Sequence, residues 1–286
     1  MSSRSPVLER VTLRIGKIRY TNAIPFYHGL FQEDPPFGFE FFEDCPANIN
    51  LAMHEGKIDI APISSLEYLN HQEDYWLLPD LAIGSRDFSG SVLLLSKEKI
   101  EGLNKARIVL SRESLSSAAL LRILLKFRYK LENQFAVSDS DPEQMLSKNK
   151  AALVIGDDAL FYQPKDFVFK YDLSELWWNW TEKPFCFAVW AVRREFAESY
   201  RKETAAFYRV LRQNLDRNLA DLETLVKEAL HMSFIDKRFP QIFGYLFNLI
   251  YGLDSEMREG LELFYRMAHR LQLSPLPKKP EFFEVK

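Results

Sequence analysis

The first 63 residues switch repeatedly between two hydrophobic periods, and that alternation limits the fold more than any other feature of the chain. Val11, Leu13, Ile15 and Ile18 follow the short period of a strand, 37–42 is a phenylalanine-rich strand, and 57–63 is a third. Between them, Pro25 stands where the first turn of a helix tolerates a missing N–H. A second helix opens at Pro46, carries Ile49, Leu51, Ala52 and Met53, and closes near Gly56. Ser64 and Ser65 then offer an N-cap for a helix through Tyr68. Strand and helix in strict alternation predict a right-handed parallel α/β unit. In such sheets ligands bind beyond the carboxyl ends of the strands, where the amides of the next helix have no partner. Asn22, at the exit of the first strand, is therefore the expected floor of a site.

A second series of the same kind follows. Residues 81–83 lead into a polar turn over 84–88, and 89–96 reads as a strongly apolar strand. A strand at 107–110, a capped helix over 114–127, a strand at 151–155 ending in Gly156-Asp157-Asp158, and a long apolar strand over 184–192 complete it. Two long strands bracketing a complete α/β unit predict two crossings between lobes. The expected division is lobe 1 from 11–91 and 191–273, an inserted lobe 2 over 92–190, and an extended proline-rich tail over 274–286. Beyond Arg194 the period becomes helical, through Phe196, Tyr200, Phe207, Leu211 and Leu215. Helices at 239–251 and 256–271, the latter capped by Asp254 or Ser255, are expected to pack back on lobe 1. A chain of 286 residues, 47% of them hydrophobic, holds enough apolar side chains for two such lobes with a cleft between them.

Charge and cysteine content exclude several classes of function. A formal net charge of -3 leaves no overall basic field for nucleic acid or an anionic membrane, so neither is an expected partner, and an anionic ligand must be held by placed donors. Cys45 and Cys186 cannot form a disulfide framework and lack the spacing of a zinc or redox pair. No apolar run approaches about 18 residues, and Met1–Arg10 hold no unbroken apolar core, so a cytoplasmic protein is expected. Eleven glycines include neither of the common phosphate-cradling patterns, which argues against a nucleotide cofactor. His28, His54, His71, His231 and His269 fall on different elements without ligand spacing, so no metal is expected. A serine hydrolase lacks its G-x-S-x-G elbow.

What recurs is a hydroxyl or amide where a strand gives way to a helix or a crossing: Asn22, Ser64, Ser65, Ser89, Ser91, Ser114, Ser116 and Ser117. Taken singly these residues serve equally as caps and turn formers. Together, at strand exits facing one cleft, they form neutral donor nests suited to a ligand with two carboxylates. Gly156 allows close approach at the same edge, and Asp157 reads as a helix cap, a hydroxyl acceptor or a base. The aromatic run 177–181 fits the wall of a core or hinge better than a stacking surface.

Five segments, in order, resemble the chorismate dehydratase family: Gly16-x-x-x-Tyr20-x-Asn22-x-x-Pro25; Asp59-Ile60-Ala61-Pro62-Ile63-Ser64-Ser65-x-Glu67-Tyr68; Gly90-Ser91-Val92-Leu93-Leu94-Leu95-Ser96; Ile155-Gly156-Asp157-Asp158-Ala159-Leu160; and Trp177-x-x-Trp180-Thr181-x-x-Pro184-Phe185-x-Phe187-Ala188-Val189-Trp190. The resemblance implies a type II periplasmic-binding-protein-like fold turned to cytoplasmic catalysis. It further implies removal of water from chorismate to give 3-[(1-carboxyvinyl)oxy]benzoate, at the opening of the futalosine route to menaquinone, without metal or organic cofactor. On this resemblance Asn22 and Ser91 match the polar residues of catalysis. Serines at Ser111 and Ser116 stand where the family usually has threonines. Two other readings share the fold: a 1,4-dihydroxy-6-naphthoate synthase, whose opening motif and histidine are not found here, and a carboxylate-binding protein without catalysis. Oligomeric state is not legible.

Overall fold

A computed structural model describes residues 11–32, 34–164, 166, 168–233 and 236–285. Strands are β1 (Thr12–Ile18), β2 (Gly38–Asp44), β3 (Ile60–Ser64), β4 (Tyr75–Ser85), β5 (Val92–Ser96), β6 (Arg107–Ser111), β7 (Gln134–Ser138), β8 (Ala151–Ile155), β9 (Phe169–Asp172), β10 (Phe185–Arg193) and β11 (Leu249–Ile250). They form two sheets, β11-β4-β10-β3-β1-β2 and β7-β6-β8-β5-β9. β1 runs parallel to β2 and β3, as the opening alternation predicts, and β6 runs parallel to β7 and β8. β10 is antiparallel to both β3 and β4.

The first lobe carries α1 (Ile24–Tyr27), α2 (Pro46–His54) and α3 (Ser65–Asn70); the second carries α4 (Leu115–Ile123), α5 (Pro142–Lys148), α6 (Gly156–Leu160) and α7 (Leu173–Thr181). After β10 come α8 (Arg194–Ser199), α9 (Arg201–Ala220), α10 (Leu222–Ala229), α11 (Phe239–Asn248) and α12 (Ser255–Arg270). One core lies between the first sheet and α9 to α11, around Phe26, Trp190, Phe207 and Leu211. A larger core runs from the first sheet across α12 and α4 to the second. α9 packs on α1, and α12 rests on β10, α3 and α4, so the helical tail braces the first lobe and also touches the second. Asp254 is the cap of α12, accepting from the Met257 amide at 2.8 Å. No helix among the described residues is long and apolar enough to cross a membrane.

Several elements differ from expectation, each for a visible reason. The strand expected from Ser89 begins at Val92, because the Ser89 and Gly90 amides donate to the Asp172 carboxylate at 3.1 and 2.7 Å instead of a ladder partner. The turn expected at 84–88 starts after Ser85, since Gly84 and Ser85 pair with β10 and β11. α11 stops at Asn248 and Leu249 turns extended to add β11 to that edge. β7, α5, β9 and α7 lie in stretches with weak periodicity, and the aromatic run 177–181 is the second half of α7, with Trp177 fully buried against Phe185. The five-stranded sheet falls within 92–190, while β10 starts inside that range and pairs with the first sheet throughout. The chain crosses between sheets at 86–91 and again after α7.

Candidate active site

The floor of the site is built where β1 and the first crossing end side by side. A single 3-10 turn, Thr21–Ala23, carries Asn22 off β1, and Pro25 starts α1 behind it. The Asn22 backbone carbonyl accepts from the Tyr251 hydroxyl at 3.0 Å, while its side-chain oxygen is buried with no hydrogen-bond partner. A buried amide oxygen left unpaired costs about 1–3 kcal/mol, which a ligand donor would recover. Ser91 sits at the mouth of β5, and its Oγ accepts from the Tyr245 hydroxyl at 2.9 Å. Burial pushes the Tyr245 phenol well above its usual range, and Ser91 and Asn22, both at its hydroxyl, pull the other way. One phenol on α11 thus joins the two residues singled out from the sequence.

Asn22 and Ser91 line a cavity between the sheets. Ile18, Ile83, Val92, Ile155, Phe187 and Leu249 supply its apolar walls. Opposite the floor stands the amino end of α4, where Ser114, Leu115, Ser116 and Ser117 all face the cavity. Ser114 precedes the helix, yet its Oγ donates to the Ser111 carbonyl at 2.5 Å and caps nothing. The first amides of α4 are left without a side-chain cap, a ready position for a carboxylate. Ser64 also lines the cavity, its Oγ capping α3 through the Glu67 amide at 3.1 Å. Gly156 closes the edge at φ +63°, and a Cβ there would lie 2.6 Å from the Tyr20 ring. Among the described residues no lysine, arginine or histidine lines this cavity.

Three expected contacts face elsewhere. The Ser65 hydroxyl donates to the Cys186 carbonyl at 2.8 Å and meets Ser116 Oγ at 3.1 Å, sealing α3 to α4. Ser89 is spent on Asp172, its Oγ lying 2.9 Å from Oδ2. The Asp157 carboxylate accepts from the Thr21 amide and hydroxyl, both at 3.1 Å, and does not line the cavity. Burial raises the Asp157 carboxyl above its usual value, with the Thr21 donors opposing. It ties α6 to the turn that holds Asn22.

Three lining or floor residues were not singled out from sequence. Glu113 is the charged residue on the wall, and it is held by the Tyr20 hydroxyl and by Arg19 Nη2 at 3.3 Å. Tyr20 and Glu113 come from opposite lobes and, with Thr21–Asp157 and Ser65–Ser116, link the lobes beside the cavity. Tyr20 belongs to the opening motif, a signal that was present; Tyr245 lies in a helix whose period speaks only of packing.

The family model described as menaquinone biosynthesis matches residues 13–270. The chorismate dehydratase of Thermus thermophilus is 31% identical over 271 residues, covering 87% of this chain and 93% of that protein. Among solved structures, an Archaeoglobus fulgidus protein superposes with a TM-score of 0.72 at 15% identity, over 92% of this chain and 98% of that one. The periplasmic aliphatic sulphonate binding protein of Escherichia coli gives 0.61 at 14% identity, over 96% and 94%. These structural likenesses establish a periplasmic-binding-protein-like fold.

Proposed function

The chain belongs to the menaquinone-biosynthesis family, and from that premise we propose that it is a chorismate dehydratase, a hydro-lyase giving 3-[(1-carboxyvinyl)oxy]benzoate at the start of the futalosine route. The observation that carries this reading is the convergence of Asn22 and Ser91 on Tyr245, across a cavity from the uncapped amino end of α4.

Chorismate bears two carboxylates and a ring hydroxyl, and losing that hydroxyl with a neighbouring ring proton leaves an aromatic ring. Aromatisation supplies the driving force, so the protein has to orient the ring, stabilise charge as it develops and keep water out. The unpaired Asn22 oxygen accepts from the ring hydroxyl. Ser91, whose Oγ accepts from Tyr245, donates a hydrogen bond to the departing oxygen while keeping its proton. The α4 amides with Ser116 and Ser117 hold a carboxylate, and Ser64 and Gly156 border the ring. For the ring proton, the substrate's own enolpyruvyl carboxylate is the acceptor best supported, because Asp157 is turned to Thr21 and Glu113 to Tyr20 and Arg19. Departing hydroxide and this proton together make the water.

The test is direct. Purified protein mixed with chorismate alone is expected to yield a species lighter by one water in mass spectrometry. Saturable binding of unchanged chorismate would contradict the enzyme and favour a carboxylate-binding protein.

A further inference from the structure

Outside the cavity, in a surface pocket that Arg112 and Leu115 of the second lobe also line, the carboxyl ends of α2 and α3 bring together side chains that lie apart in sequence. His54 ends α2 and His71 is the C-cap of α3, and their rings stand 4.0 Å apart, centroid to centroid. Asp74 follows within a turn, and ligand atoms of His54, His71 and Asp74 all lie within 4.8 Å of one another. The histidines fall on different elements, as expected from the sequence, yet the fold sets two of them side by side.

We propose that His54, His71 and Asp74 form a binding site for a divalent transition-metal ion such as zinc. Two imidazoles and one carboxylate are the donor set that borderline cations prefer, with a fourth position for water. The two nitrogens of His71 are already divided between tasks: Nδ1 lies 3.7 Å from Asp74 Oδ2, and Nε2 lies 3.6 Å from Glu67 Oε1. Glu67 is 7% exposed, and its carboxylate faces His71 from the helical turn before. A carboxylate behind the far nitrogen of a ligating imidazole is the arrangement that fixes its tautomer and orients the ring. Tetrahedral ligands at zinc distances stand about 3.3 Å apart, so small side-chain rotations at the exposed His54 and Asp74 complete the set. The negative ends of both helix dipoles point at the same spot and favour a cation there.

The site lies outside the reaction cavity, but it clips helices whose amino ends do reach it: Pro46 starts α2 and Ser64 caps α3, and both line the cavity. Asn50 of α2 already binds the Ser64 amide at 3.0 Å. Metal binding would thus brace the substrate wall from behind without entering the chemistry.

The probe is Zn2+ titrated into tag-free, chelator-stripped full-length protein by calorimetry, with Co2+ absorption to read the coordination. The expected result is one ion per chain, a Co2+ spectrum of four-coordinate intensity, and about 10-fold or greater loss of affinity in both His54→Ala and His71→Ala. His231→Ala, at a histidine remote from the cluster in sequence, should bind as wild type does. No saturable uptake, or wild-type affinity in either His54→Ala or His71→Ala, would overturn the site.

Discussion

The Tyr245 hydroxyl donates to Ser91 Oγ without lining the cavity itself, so on the proposed function Tyr245 is a positioning residue for Ser91. Tyr245→Phe keeps the ring in its packed place and removes that tether; kcat should fall about 10-fold while the unfolding midpoint stays close to wild type. Asn22→Ala removes the acceptor itself and should lower kcat by about 10²-fold or more. Steady-state kinetics on folded variants check both, and full turnover in Asn22→Ala would remove it from the mechanism. Asp157→Asn separates latch from base: with both oxygens engaged by Thr21, the change should raise KM several-fold and leave kcat within a few-fold. A drop of about 10²-fold in kcat would instead make Asp157 the base. Asn22 and Ser91 stood out in the sequence because they sit at strand exits within segments that resemble a known family, since an amide or hydroxyl at such a place serves equally as a cap or turn former. Ser65, Ser89 and Asp157 stand at equally good positions, but position in the chain does not say which way a side chain turns. Tyr245 left no trace, since a phenol on an amphipathic helix looks the same whether it packs or reaches a ligand.

At the scale of elements, the joint between lobes rests on Asp172, which ends β9, caps α7 through the Ser174 amide at 2.9 Å, and holds Ser89 and Gly90 of the other crossing. Burial pushes its carboxyl up to about 6, against the pull of these donors. The folded chain then binds this proton more tightly than the unfolded chain, whose carboxyl titrates near 3.8, so the contribution to stability is largest at low pH and is lost as pH rises through about 6. Denaturant unfolding of wild type and Asp172→Asn between pH 4 and 7 should show their difference shrinking by about 2 kcal/mol as pH rises. A difference that grows with pH would reverse the sign of the account. The elements with clean period, β1, β3, β5, β8, β10 and the long C-terminal helices, could be read directly. β7, β9 and α7 could not, because their apolar residues answer to Trp177, Phe185 and the neighbouring sheet rather than to a repeat of their own.

Taken whole, the molecule is two α/β lobes flanking a cavity that holds no basic side chain among its described lining residues. A net charge of -3 gives no long-range pull on an anion, so on the proposed function affinity comes from oriented amides and hydroxyls, each worth more where water is excluded. The contacts Tyr20–Glu113, Thr21–Asp157 and Ser65–Ser116 link the two lobes beside the cavity. The two-lobe plan followed from the alternation of periods, but the links between lobes did not, since contacts between Tyr20 and Glu113 span 93 residues with no local signature. The central claim is that a doubly carboxylated ring lies between the Asn22–Ser91 floor and the amino end of α4. A crystal structure of the protein with 3-[(1-carboxyvinyl)oxy]benzoate tests it most directly: the account predicts one carboxylate on the amides of 115–117 and the ring against Asn22 and Ser91, and product bound anywhere else, or in this cavity without touching either end, would contradict it.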